Sequence, residues 1–286
     1  MPYLHPKKTR LRLQATLKQA PRKAVFMFCT GLFLLVVFGT ISAFADFIAP
    51  FDPTQLLVGG SLSPPDSSHL MGTTKLGYDV FSRVVYGGRV SISIGLLSSF
   101  MALLVGFPLG LVSGLSGGKL DRGMVLIMDS IYSFPGMMLA LIITAVLGPG
   151  MLNAAIAVFA VFAPQYYRVT RNETLVIKQK TFVESAIASG ASYMHILRYH
   201  IARNVCSSVP ALFSTSTAWG ILVLAGLSYL GLGITPPRPS LGYDLSVAQT
   251  YLPNGNWWLA LFPGLFIVGI IASFAFLAEG LNEMRN

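Results

Sequence analysis

The feature that most limits what this chain can fold into is a series of long stretches with no Asp, Glu, Lys or Arg: residues 25–45, 90–118, 130–167, 205–237 and 245–278. A helix that crosses a bilayer needs about 20 consecutive, mostly apolar residues, and inside hydrocarbon every backbone N–H and C=O must be satisfied within the protein. With 53% apolar and 11% charged residues, the chain has too little charge to clothe a water-soluble globule of 286 residues. The third stretch is interrupted at Gly148-Pro149-Gly150, which predicts two helices within it. Pro253-Asn254-Gly255 reads as a turn, so the last crossing begins near Trp257. The expectation is an all-α integral membrane protein with six transmembrane helices.

Lys and Arg accumulate in loops on the cytoplasmic side. With the N-terminus inside, sixteen of the 20 basic residues fall on that side, and only Lys75, Arg83, Arg89 and Arg238 fall outside. This bias predicts a multi-pass protein with both termini cytoplasmic. Residues 1–24 form a basic cytoplasmic segment and 25–286 a transmembrane domain, with an external segment at 46–89 and a cytoplasmic loop at 168–204. The net charge of +9 follows from orientation and lacks the basic stripe with interleaved aromatics that nucleic acid requires. The first apolar run spans 21 residues, longer than the 7 to 15 typical of a secretory signal, so an uncleaved first helix is expected.

Few residue types capable of catalysis stand in a working pattern. Cys29 and Cys206 make no disulfide framework, and His5, His69, His195 and His200 show no metal-ligand spacing; no cofactor and no metal are expected. Leu115-Ser116-Gly117-Gly118-Lys119 imitates the nucleotide-contacting signature of ABC ATPases, yet no Gly-x-x-x-x-Gly-Lys-[Ser/Thr] phosphate loop occurs in the chain. Asp129 is the one acid clearly within a predicted span. It lies six residues past Gly123, about 9 Å at helical rise, so it can reach the inner interface or a neighbouring helix, which favours a structural role over proton coupling. Pro108, Pro135, Pro210 and Pro263 predict kinks in or at the ends of spans. Gly106, Gly110 and Gly114 form a small-residue face for close helix contact, within the chain or with a partner subunit. Trp257 and Trp258 suit an interfacial aromatic belt.

Residues 182–204, FVESAIASGASYMHILRYHIARN, are a polar, helix-permitting interruption between apolar runs. A helix pressed into a cleft on a partner needs small residues at the close approach, apolar anchors and charge at the rim. Ala186, Ala188, Gly190 and Ala191 supply the first; Tyr193, Met194, Ile196 and Leu197 the second; Glu184, Arg198 and Arg203 the third. Gly190 also permits the positive φ that ends one short helix before the next. The stretch resembles the coupling loop of permease subunits in binding-protein-dependent ABC importers, and the resemblance assigns ATPase coupling to Glu184, Ser185, Ala186, Gly190, Ile196 and Asn204. Ser185 stands where Ala is usual, and Arg203 where Pro usually precedes Asn204; without that Pro the helix is free to run into the fifth span.

Residues 69–91, HLMGTTKLGYDVFSRVVYGGRVS, read as an external loop with turn glycines Gly72 and Gly77, followed by an amphipathic helix. They resemble a segment of the shorter membrane subunit in the dipeptide/oligopeptide/nickel subfamily, with Thr74 and Tyr78 replacing the usual Asp and Arg. The similarity continues through GGKLDR (117–122), DSIYSFP (129–135), LGPG (147–150), YYR (166–168), LSYLGLGITPP (227–237) and LFPG (261–264).

The resemblance implies the type I ABC importer permease fold with a cytoplasmic coupling helix, in the bacterial inner membrane. It implies four partners: a related permease subunit forming a heterodimer, two cytoplasmic ABC ATPase subunits that hydrolyse ATP, and an extracytoplasmic solute-binding protein. Di- or oligopeptides are the expected solute, with nickel, glutathione or opine-type solutes as the alternative; no residues of the solute path are assigned. An ion-coupled secondary carrier is the competing class, but the chain shows no obvious repeat and almost no midplane charge. Reporters fused after Asp66 and Ser240 should read external, and those after Lys180 and Asn286 internal; an external Lys180 would remove the basis for docking an ATPase there.

Overall fold

The computed structural model describes residues 22–285. The basic segment expected at 1–24 lies outside the described residues as far as residue 21. Among the described residues the chain is helical, and the one β feature is an isolated bridge between Thr73 and Asp79.

Helix α1 (Arg22–Ala43) is followed by a single turn, α2 (Ala45–Ile48), and by a segment of turns and bends to Asp79. Then come α3 (Val80–Ser116), α4 (Gly118–Tyr132), α5 (Gly136–Leu147) and α6 (Met151–Lys178). The loop region holds α7 (Thr181–Ala188), α8 (Tyr193–His195), a π-helical turn (Ile196–Ile201) and α9 (Ala202–Val205). Helices α10 (Val209–Tyr229), α11 (Leu241–Tyr251) and α12 (Trp258–Arg285) complete the fold.

Among the described residues four helices are long and apolar enough to cross a membrane: α1, α3, α10 and α12. The expected third and fourth spans take a different form. The break at residues 148–150 is present, but a second break at Ser133–Pro135 bends α4 against α5 by 86°. Alone, α5 has 12 residues, about 18 Å of helix, too short to cross hydrocarbon of about 30 Å. Helix α6 runs for 28 residues, and its second half carries Arg168, Arg171, Glu173 and Lys178. It therefore takes the chain helically through the first eleven residues of the segment expected to be loop.

Other expectations are corrected by packing. The helix predicted before residue 90 is continuous with the second span, because α3 starts at Val80. Removing Pro at position 203 does not let the loop helix run on: the chain turns at Cys206–Ser208, and Pro210 opens α10 where its missing N–H costs nothing. Pro108, Pro164 and Pro263 lie inside continuous helices; the pronounced bend is at Pro135. Trp258 is a core residue with its indole N–H on the Thr73 carbonyl (3.3 Å), while Trp257 is half exposed.

The glycine face of α3 is spent inside the chain. A Cβ at Gly106 would stand 2.5 Å from the Ala163 carbonyl oxygen, one at Gly110 2.6 Å from the Tyr167 carbonyl, and one at Gly114 2.8 Å from the Thr174 side chain. Only hydrogen on the Cα lets α3 lie directly on the α6 backbone, and these two helices form the most extensive pairing in the molecule. Helix α1 packs along α12, and α10 packs against both α12 and α3.

The segment before α3 is fixed to the bundle by buried polar contacts. Asp79 is fully buried, accepts from the Ser82 backbone N–H (2.8 Å) to cap α3, and bonds His69 Nδ1 (2.9 Å). Arg83 pairs with Asp244 of α11 (2.7 Å) and donates to the Pro53 carbonyl (3.0 Å). The exposed Asp66 accepts backbone bonds from His69 (2.6 Å) and Ser68 (2.8 Å), which hold its pKa below the ordinary carboxylate value. Gly72 and Gly77 have φ of +74° and +71° and serve as turn residues.

Gly110→Val should cost about 3 kcal/mol of stability, as an extra group is forced against backbone that cannot yield. Gly123→Ala, which meets nothing within 4 Å, should be near neutral. Melting of the detergent-purified variants measures both, and a Gly110→Val protein as stable as wild type would contradict the α3–α6 seam.

Candidate functional site

The 179–208 region is a small folded unit hung beneath the end of α3. Val183 of α7 is fully buried and packs with Ile196, Ile201 and Val205 against Leu111 and Leu115 of α3. Ile196 and Ile201 are five residues apart. In an α-helix that spacing separates two side chains by about 140°, whereas the π-helical turn, with its i→i+5 hydrogen bonds, returns both to one face.

Helix α7 ends at Gly190, whose φ is +79°. The Gly190 N–H donates to the Ile187 carbonyl (2.9 Å) and the Ala191 N–H to the Ala186 carbonyl (3.0 Å), the paired bonds of a Schellman termination. Ser192 then caps the next helical stretch by accepting from the His195 N–H (3.4 Å).

Side-chain bonds tie this unit to the spanning helices. The Tyr193 and Ser116 hydroxyls are 2.7 Å apart, and Lys178 Nζ donates to the Leu115 carbonyl (2.7 Å). Glu173 of α6 accepts from Ser208 (2.6 Å) before α10 and from Arg285 (2.7 Å) at the end of α12. Asp121 of α4 receives two bonds from Arg171 (2.6 and 2.7 Å). The imitation signature at 115–119 is thus the α3–α4 corner, with Gly117 and Gly118 at φ of +65° and +66°.

The expected coupling residues divide into three kinds. Glu184, Ser185 and Gly190 are exposed, and Ala186 is half-buried; all four stand on α7 or its terminal turn. Ser185 spends its hydroxyl on the Thr181 carbonyl (2.8 Å), and the exposed Asn204 donates to the His200 carbonyl (2.5 Å). Ile196 is 6% exposed, so its side chain holds the loop together and is not offered to a partner. Of the other expected anchors, Tyr193 and Met194 are exposed and Leu197 is half-buried. Sequence reasoning missed Val183 as the buried pin and Phe182, Ile187 and Tyr199 as exposed apolar groups. The five-residue spacing of Ile196 and Ile201 was the available signal, and it is invisible to a search at period 3.6. Among the described residues no group of three or more His, Cys, Asp or Glu is placed to hold a metal ion.

A family described as binding-protein-dependent transport system inner membrane component matches residues 106–284, a range that takes in the α3–α6 seam and this whole loop unit. The chain belongs to that family. It is 36% identical over 254 residues to the glutathione transport system permease protein GsiD of Pectobacterium atrosepticum, covering 88% of this chain and 84% of that protein. It is 32% identical over 259 residues to the dipeptide transport system permease protein DppC of Haemophilus influenzae, covering 88% of each. Among solved structures, the MetNI methionine ABC transporter in inward-facing conformations shares its fold with a TM-score of 0.53 at 19% identity, over 68% of this chain and 94% of that one. The chain is accordingly a multi-pass inner-membrane ABC importer permease of the dipeptide/oligopeptide type, with the type I permease fold.

Removing the Tyr193–Ser116 bond should loosen the unit without unfolding it. A net worth of about 1 kcal/mol predicts amide exchange about fivefold faster in residues 182–201 of Tyr193→Phe and of Ser116→Ala. Hydrogen-exchange mass spectrometry reads this, and unchanged exchange in both variants would exclude the bond as a tether.

Proposed function

We propose that this chain is one half of the membrane pore of an ATP-driven importer for short peptides, and that the 179–204 unit is where an ATPase subunit docks. On this reading the chain crosses the membrane six times with both termini cytoplasmic. The bent α4–α5 pair makes one crossing and the first part of α6 another. A related permease subunit completes the pore, two cytoplasmic ATPases drive it, and an extracytoplasmic binding protein delivers the solute. The relatives named for glutathione, itself a tripeptide, and for dipeptides favour a peptide as cargo.

The observation that carries the reading is the combination of an exposed α7 face with a rigid mount. Phe182, Glu184, Ile187 and Met194 are exposed on a unit whose buried side is pinned to α3 and α6. A surface meant to receive force from a partner needs both properties: apolar groups to bind, and a core that does not give way. ATP binding and hydrolysis on the docked subunits would then rock the spanning helices between outward-facing and inward-facing states.

Gly190 separates docking from folding, because a Cβ placed there meets nothing within 4 Å and the site is exposed. Asn and Asp both tolerate a positive φ, so the comparison isolates charge. Gly190→Asp should lower ATPase co-purification and peptide uptake at least tenfold, about 1.4 kcal/mol or more of docking energy, with membrane level unchanged. Gly190→Asn should lose far less. Wild-type ATPase association together with normal uptake in Gly190→Asp would sink the docking assignment.

A further inference from the structure

Where α4 meets α5 at 86°, the corner leaves a cavity of about 320 Å³, within the size range of small-ligand pockets. Its lining includes Ile131, Tyr132, Phe134, Leu139, Phe162 and Gln165, apolar and aromatic apart from one amide. Against it stands an ion pair, Arg168 Nη2 to Asp129 Oδ1 at 2.8 Å, with the two side chains 44% and 52% exposed. Tyr132 joins the two features: it lines the cavity, and its ring centroid lies 3.9 Å from the Arg168 guanidinium carbon.

This pair is oddly placed for a purely structural one. At the cytoplasmic end of the crossings such a pair faces water or another subunit, because hydrocarbon solvates charge poorly. The chain itself leaves both side chains about half uncovered. The bond engages one guanidinium N–H and one carboxylate oxygen, while an arginine offers five N–H donors and a carboxylate two oxygens. A half-exposed pair contributes little stability and opens readily. The ring of Tyr132 steadies the guanidinium whether or not the carboxylate is engaged.

We propose that Asp129, Arg168 and the adjoining cavity form a station for a zwitterionic short peptide on the solute path. Arg168 takes the carboxylate, Asp129 takes the ammonium group, and the aromatic cavity takes an apolar side chain. The ion pair thus exchanges its own partner for the two termini of the cargo, through charge-assisted bonds with no net change in charge. This rests on the peptide reading of the cargo given above. The same chemistry fits a zwitterionic lipid headgroup, so the test must separate the two.

The test uses the complete transporter, purified with its sister subunit and ATPases, nucleotide-free and without binding protein. Equilibrium dialysis with a radiolabelled phenylalanine-containing dipeptide should show saturable binding, displaced by the unlabelled dipeptide and not by its N-acetylated, C-amidated form. Arg168→Gln and Asp129→Asn should each weaken that binding at least tenfold, with melting temperature and ATPase co-purification at wild-type values, and Arg168→Lys should recover part of it. Wild-type affinity in both single variants would overturn the station, as would the absence of saturable wild-type binding. It would also be overturned if short-chain phosphatidylethanolamine stabilised the wild type through this pair while the peptide did not bind. Dipeptide uptake by wild-type proteoliposomes with binding protein checks the underlying reading separately: uptake without binding at the pair removes the station alone, and no uptake removes the peptide assignment.

Discussion

Everything at the loop end of this molecule depends on the direct apposition of α3 and α6. Three glycines one turn apart let the α3 surface meet backbone carbonyls of α6 at Ala163 and Tyr167 and side chains at Thr170 and Thr174. In a membrane, where apolar surface gains nothing by leaving lipid for a neighbouring helix, close packing of this kind is a main source of helix association. Its consequence is geometric. With the two helix axes fixed, the α3 end at Leu111, Leu115 and Ser116 and the α6 end at Glu173 and Lys178 become a single platform. The loop unit is built on that platform: Val183 and Ile196 pack on α3, Lys178 reaches the Leu115 carbonyl, and Glu173 gathers in α10 and α12.

The features legible in the sequence are those governed by solvent alone. Hydrophobic stretches located α1, α3, α10 and α12, and the Gly-Pro-Gly and Pro-Asn-Gly breaks marked real chain turns, because apolar length and backbone chemistry act locally. What could not be read was set by packing between distant segments. The glycine face of α3 was compatible with an internal seam or a subunit contact, and only the position of α6 decides it. Pro135 and Pro108 are the same residue type in the same kind of run, yet one accompanies an 86° bend and the other lies in a continuous helix. Trp258 passed for a belt residue because its partner, the Thr73 carbonyl, is 185 positions away in sequence.

The 179–208 unit shows the same division. Gly190 was recognisable because a helix end in the left-handed region favours glycine for a local, steric reason. Ile196, expected as an apolar anchor for a partner, is buried instead. A π-helical turn adds about a residue per cycle, which carries Ile196 and Ile201 inward together and leaves Tyr199 outside. Val183 could not be told apart by periodicity, since Ala186 and Ile187 stand three and four residues on, at the spacing of one helix face, yet Val183 is buried and Ile187 is exposed.

Helix α6 joins the bend between α4 and α5 to the loop unit. It carries Arg168 beside the cavity at the bend and Lys178 beside the loop unit, ten residues apart, which is about 15 Å along one uninterrupted helix. A helix of that length transmits displacement as a rod, because bending it means breaking hydrogen bonds in its own ladder. Arg171 binds the same rod to α4 through Asp121 and Arg168 binds it again through Asp129, so α4 is held to α6 at two points before the Ser133–Pro135 break. A push on α7 would therefore reach the bend as movement of Arg168 relative to α5, changing the angle of the corner and the shape of the cavity within it. Under the docking reading, such an arrangement would tie the shape of the cavity beside the Asp129–Arg168 pair to the position of the loop through bonds already present.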